Sequence, residues 1–229
     1  MDTRPHALIT GGTRGIGLAV AEELAPTHHL LIGGRDRGRA AEVAAAFPSA
    51  EPFAADLTSE DDVAAAAGRL DRLDVLIHSA GITSMGSVEE LTRDTWREVL
   101  EVNVVAVADL TARLLPALRR ARGQVVLINS GSGFVTSPGN SVYSASKFAL
   151  RAFADTLREE EREHGVRVTS IHPGKVDTDM QRQIVDHQGG SYDGTVFLTP
   201  ASVARTVAFA LAATPEAQIE SLNVRPMAR

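Results

Sequence analysis

Residues 143–147 read YSASK, and Lys147 is one of only two lysines in a chain whose positive charge otherwise comes from arginine. The stretch sits in a helical pattern, so Tyr143 and Lys147, four residues apart, project from one face and line one site together. A free phenol titrates near ~10, and a neighbouring ammonium favours its ionised form. This spacing therefore predicts that Lys147 draws the Tyr143 hydroxyl toward neutrality and makes it a general acid. Thirteen residues upstream, Ser130 closes the apolar run 123–129, GQVVLIN. The end of a buried parallel strand is where open α/β sheets place their ligands, and a hydroxyl there is suited to holding a carbonyl oxygen.

A second constellation lies near the start. Thr10 to Gly17 read TGGTRGIG, between the first apolar run and the first helical stretch. Gly11, Gly15 and Gly17 let backbone amides and a helix N-terminus approach a pyrophosphate, which points to a dinucleotide, although the spacing is not GxGxxG. The next strand ends LLIGGRD with no carboxylate at its tip to take a ribose 2′-hydroxyl. Arg35 there and Arg14 in the glycine turn are suited to a 2′-phosphate, and Gly34 leaves room for it, so NADP(H) is the preferred cofactor. Asp36 keeps NAD(H) open as an alternative, and is equally well read as the cap of the following helix.

The elements that position these groups follow from hydrophobic patterning. Short apolar runs at 6–10, 29–33, 73–78, 123–129 and 166–171, with further candidates at 52–56 and 219–224, read as strands buried on both faces. Amphipathic stretches at 15–26, 37–46, 60–70, 92–120 and 141–164 alternate with them. The order predicts an α/β fold: one Rossmann-type, doubly wound parallel sheet of about seven strands, helices on both faces, and a single domain over 1–229.

Composition removes other classes. The net charge of −6 and scattered arginines disfavour nucleic-acid and anionic-membrane partners. The absence of cysteine excludes thiol catalysis, disulfides and thiolate metal sites. The histidines, including His28 and His29, show no metal-ligand spacing, so no metal is expected. The chain carries neither a signal-like start nor ~20 uninterrupted apolar residues, which predicts a cytoplasmic protein.

Taken together, TGGTRGIG, AADL (54–57), EVNV (101–104), INSGSG (128–133), YSASK and HPGKVDT (172–178) resemble, in order, the motifs of the short-chain dehydrogenase/reductase (SDR) family across nearly the whole chain. The resemblance implies a catalytic tetrad of Asn103, Ser130, Tyr143 and Lys147, with Asn103 helping to hold a proton-relaying water. It implies cofactor contacts from Gly11, Thr13, Arg14, Gly15, Ile16 and Gly17, from Arg35, and from Asp56 and Leu57 at the adenine. Further contacts are implied from Ser79, Ala80 and Gly81, from Tyr143 and Lys147, and from Pro173, Gly174, Val176 and Thr178, the last at the nicotinamide carboxamide. One departure is visible: HSAG (78–81) stands where the family has Asn-Asn-Ala-Gly, which puts local strand-bridging hydrogen bonds in doubt. His78 reads as a core histidine rather than a base.

The implied reaction interconverts a small-molecule carbonyl compound and an alcohol by hydride transfer. The segment at about 179–198 is expected as a short substrate lid, with Ile184, Val185 and Phe197 as apolar contacts. A homotetramer or homodimer through the two long helices is expected. Two other readings use the same fold: a non-catalytic redox sensor or scaffold, which would have no need of the tetrad, and a nucleotide-sugar epimerase or dehydratase, which needs a larger C-terminal region.

Overall fold

The computed structural model describes residues 3–227. Strands and helices alternate along the chain: β1 (His6–Thr10), α1 (Gly15–Leu24), β2 (His29–Gly34), α2 (Arg37–Ala45), β3 (Ala50–Ala54), α3 (Glu60–Ala67) and β4 (Val75–His78). There follow α4 (Arg93–Leu100), α5 (Ala106–Ala121), β5 (Gln124–Ile128), α6 (Ser141–Glu161), β6 (Arg167–Pro173), α7 (Asp179–His187), α8 (Pro200–Leu211) and β7 (Ser221–Val224). The strands form one sheet in the order β3-β2-β1-β4-β5-β6-β7, and every neighbouring pair is parallel. The order reverses between β1 and β4, which opens a crevice at the carboxyl edge of the sheet.

Side chains alternate across the sheet with the two-residue period of a strand. Leu8, Leu76, Val125 and Leu127 pack with α3, α5 and α6 on one face. Ala7, Ile9, Val75, Ile77, Val126 and Ile128 pack with α1, α2 and α8 on the other. Both faces are covered, as the apolar runs predict.

Four features depart from the expected elements. The helix expected at 92–120 is interrupted at Glu101–Val105 by a π-helical turn, closed by the Ala106 N–H donating to Glu101 O. The expected strand at 52–56 lies at 50–54, in register with β2. The segment expected as a lid begins with a regular helix, α7, capped by Thr178 Oγ1 accepting from Gln181 N at 3.3 Å. Helix α8 was not expected; Thr199 caps it and Pro200 occupies its first turn. No helix among the described residues is long and apolar enough to cross a membrane.

Candidate active site

All the singled-out residues lie at the carboxyl edge of the sheet or on the elements that cross it. Between β1 and α1, the chain turns with Gly11 at φ +63°, and a Cβ there would stand 2.9 Å from Ala80 Cα. Gly17 is tighter still: its Cβ would be 2.2 Å from Gly11 O. Only glycine lets this turn fold flat against α1 and the β4 loop. Arg14 is the residue preceding α1, exposed, with Nη1 3.6 Å from Asp179 Oδ2 on α7. Ile16 packs into the core beneath the turn, so it offers a site only its backbone.

Beyond β2, Arg35 is exposed on the same edge, next to the glycine turn in sheet order. Asp36 is a helix cap: its Oδ1 accepts from Arg39 N at 3.0 Å at the start of α2. A side chain at Gly34 would begin 2.9 Å from Thr13 Cγ2 in the glycine turn. Past β3, Asp56 accepts from Thr58 N (3.0 Å) and Thr58 Oγ1 (2.8 Å). Those bonds hold its carboxyl below the usual range, with a smaller contribution from the Arg35 charge. Leu57 packs against the core, so it too presents its backbone.

The β4 segment is held by side chains from three other elements. Thr10 Oγ1 accepts from the N–H groups of Ser79 and Ala80, each at 3.1 Å. His78 is buried, and its Nε2 lies 2.9 Å from Thr111 Oγ1, whose own proton goes to Val107 O. The imidazole therefore donates, and burial pushes its pKa down to about 3, which fits a satisfied core residue. Asn103, in the π-helical turn, accepts from Ile82 N and donates to Ile82 O, each at 2.9 Å, and donates to Ser146 Oγ at 3.0 Å. Both its amide protons are used, so its side chain clamps the chain after Gly81.

Ser130 follows β5 in extended backbone, and its Oγ accepts from Ser132 N at 3.1 Å. The Ser130 side chain faces Tyr143 closely enough to favour its ionised form. Lys147 Nζ lies 5.6 Å from the Tyr143 ring centroid and donates to Ile128 O at 3.1 Å. Ser146 completes the group, donating to Tyr143 O at 2.7 Å while it accepts from Asn103. The expected electrostatics are reversed in part. Burial raises the Tyr143 phenol above its ordinary value, and the Ser130 side chain opposes this. Burial also takes Lys147 from 10.5 down to about 8, leaving the ammonium favoured at neutral pH. Pro173 ends β6, and Gly174, Val176 and Thr178 follow it on the same edge, with Thr178 Cγ2 3.7 Å from a Cβ built on Gly15.

A family profile described as short chain dehydrogenase matches residues 5–189. The chain belongs to that family. It is 31% identical over 242 residues to the bovine protein named dehydrogenase/reductase SDR family member 11, covering 96% of this chain and 95% of the other. It is 32% identical over 228 residues to an uncharacterized short-chain type dehydrogenase/reductase of Sinorhizobium fredii, at 96% and 90% coverage. Among solved structures, it resembles an alcohol dehydrogenase of the archaeon Thermococcus sibiricus complexed with 5-hydroxy-NADP. That match has a TM-score of 0.89 at 25% identity, covering 99% and 98% of the two chains. A metagenomic short-chain oxidoreductase in complex with NADP matches with a TM-score of 0.82 at 29% identity, covering 98% of each.

In this short-chain dehydrogenase, a cavity of about 250 Å³ opens between the β4 loop and α7, lined by Thr83, Ser84, Met85, Gln183, Ile184 and His187. Of the apolar contacts expected there, only Ile184 lines it; Phe197 instead stacks on Tyr192 at 5.3 Å. Tyr192 donates to Asp177 Oδ1, to which Arg182 Nη2 is also bonded at 3.1 Å, so one carboxylate ties α7 and the segment after it to the β6 loop. Thr10, Ser146 and Asp177 were within the quoted motifs, yet nothing in residue type or spacing marked them as clamps. Thr178-Asp-Met-Gln181, by contrast, is a capping-box pattern that announces α7.

Proposed function

We propose that the protein is an NADP(H)-dependent oxidoreductase that interconverts a carbonyl compound and an alcohol, with Tyr143 as general acid and base. The observation that carries this reading is Tyr143 placed beside Ser130 and a buried lysine, at the edge that also holds the glycine turn. The residues fit a dinucleotide: added Cβ atoms at Gly11 or Gly17 would collide with backbone, which is the flat cradle a pyrophosphate needs. Gly11, Thr13, Gly15 and Gly17 with the backbone at Ile16 would hold the pyrophosphate, and Arg14 and Arg35 a 2′-phosphate. Asp56 and the backbone at Leu57 would meet the adenine. Ser79, Ala80 and Gly81 would follow the nucleotide, and Pro173, Gly174, Val176 and Thr178 the nicotinamide. The bound nicotinamide supplies or takes up a hydride.

The chain's own groups do the rest. Ser130 orients the substrate oxygen, and Tyr143 gives it a proton. The Lys147 ammonium stabilises the phenolate left behind and would also hold the nicotinamide ribose. Asn103 and Ser146 keep the β4 loop and the start of α6 in one register while this happens. Oxidation uses the same groups in reverse. The 179–198 segment closes over the substrate as a lid, fastened at Asp177. The protein assembles as a homotetramer or homodimer, with Val105 in the π-helical turn and Phe148 on α6 exposed and available for burial.

The experiment is NADPH oxidation against a panel of ketones and aldehydes, with Tyr143→Phe as control. The variant, which lacks only a hydroxyl, is expected to lose nearly all turnover and keep its NADPH affinity. Full activity in Tyr143→Phe overturns the mechanism.

A further inference from the structure

Ser130 lies just past the point where the β5–β6 ladder runs out. At Asn129 the backbone still pairs, its N–H donating to Ile171 O at 2.8 Å. At Ser130 side chains take over from the ladder, and its C=O also accepts from Gly133 N at 3.0 Å. Its N–H donates to Asn129 Oδ1 at 2.9 Å, and its C=O meets His172 Nδ1 at 3.1 Å. A carbonyl only accepts, so the His172 proton is on Nδ1.

The imidazole is itself fixed from several sides. His172 is 1% exposed, and its ring packs on Phe134 with centroids 4.4 Å apart. Phe134 carries the Arg151 guanidinium 4.3 Å from its centroid. The His172 carbonyl accepts from Arg225 Nη1 at 3.0 Å. The same guanidinium presses on the turn after Ser130, 3.0 Å from where a Gly131 side chain would begin.

We propose that His172 is a positioning residue for the reaction: its Nδ1–H, as the second donor beside the Gly133 N–H, fixes the peptide plane after Ser130 and thereby aims the Ser130 hydroxyl at Tyr143. This rests on the reading of Ser130 and Tyr143 as the reacting pair. Burial lowers the His172 pKa, the bond to Ser130 O opposes this, Arg151 and Arg225 lower it further, and Asp155 opposes them. The ring is accordingly neutral at pH 7. Protonation at Nε2 would leave the Nδ1–H bond intact, so the device works on both sides of that titration.

Two substitutions separate positioning from bulk structure. His172→Leu removes the donor, whereas His172→Asn keeps an N–H near the Nδ1 position; His172→Phe replaces the leucine variant if that one does not fold. Losing the aim of one hydroxyl by a fraction of an ångström to an ångström should lower kcat about 10- to 100-fold. The Kd for NADPH should stay within about twofold, and His172→Asn should restore kcat to within about threefold.

A second readout needs no substrate. The chain has two tyrosines, Tyr143 and Tyr192, so ¹³Cζ-tyrosine labelling gives two resonances, assigned with Tyr192→Phe. The Tyr143 resonance should move in His172→Leu and return in His172→Asn. If the wild type reduces no carbonyl compound, the proposed activity fails while this resonance still decides the role of His172. An unmoved Tyr143 resonance in His172→Leu, or an asparagine variant as impaired as the leucine one, overturns the proposal.

Discussion

Lys147 should make the folded protein less stable than it would be with an apolar side chain in its place. Burial brings its pKa from 10.5 to about 8, which at ~1.36 kcal/mol per pH unit corresponds to about 3 kcal/mol against the charged form. The sign follows from proton counting. Below pH 8 the lysine is charged both folded and unfolded, and the full penalty is present. Between about 8 and 10.5 the folded chain has released its proton while the unfolded chain holds it, so the penalty shrinks as pH rises, and above 10.5 it is gone. Lys147→Met removes the charge and keeps most of the volume. It also strips Ile128 O of its donor at 3.1 Å, a loss of about 1 kcal/mol. The net gain should be about 2 kcal/mol at pH 7, or roughly 5 °C in Tm for a chain of this size. The assay is thermal unfolding of wild type and variant without nucleotide at pH 7 and at pH 10. A variant less stable at pH 7, or a difference that is the same at both pH values, refutes the reasoning. The variant should also be inactive, because the same ammonium is the one proposed to stabilise the phenolate.

Arg35→Ala should weaken NADPH binding by about 10- to 100-fold, the equivalent of one charged hydrogen bond of ~1.5–3 kcal/mol, and leave NADH unchanged by calorimetric titration. Equal losses for both cofactors would make Arg35 an ordinary surface charge. Light scattering at micromolar concentration should report a tetramer or dimer, and a monomer would refute the proposed burial of Val105 and Phe148.

The fold was largely legible because a parallel sheet buried on both faces leaves little freedom to its sequence. Runs such as VVLI and LLIG must be apolar throughout, and the turns after them must carry the glycines and polar groups of the carboxyl edge. The same constraint exposes Ser130 and the Tyr143–Lys147 pair to inspection, since hydroxyls and a rare lysine stand out against an apolar and arginine-rich background. What could not be read is what depends on neighbours distant in sequence. The π-helical turn at Glu101–Val105 was not read from EVNVV, nor was the clamp that Asn103 within it sets on Ile82 some twenty residues upstream. Local charge arithmetic also misled. From spacing alone Lys147 should pull the Tyr143 phenol down, but burial acts on both groups and pushes their neutral forms forward. Spacing tells which groups meet, whereas the dielectric around them decides which proton moves. That dielectric is set by Ile128, Asn103 and the β4 loop, none of which adjoins Tyr143 in the sequence. A site that buries its lysine in this way gives up stability at neutral pH that a bound anionic or phenolate partner would restore, which would couple folding to chemistry at Lys147.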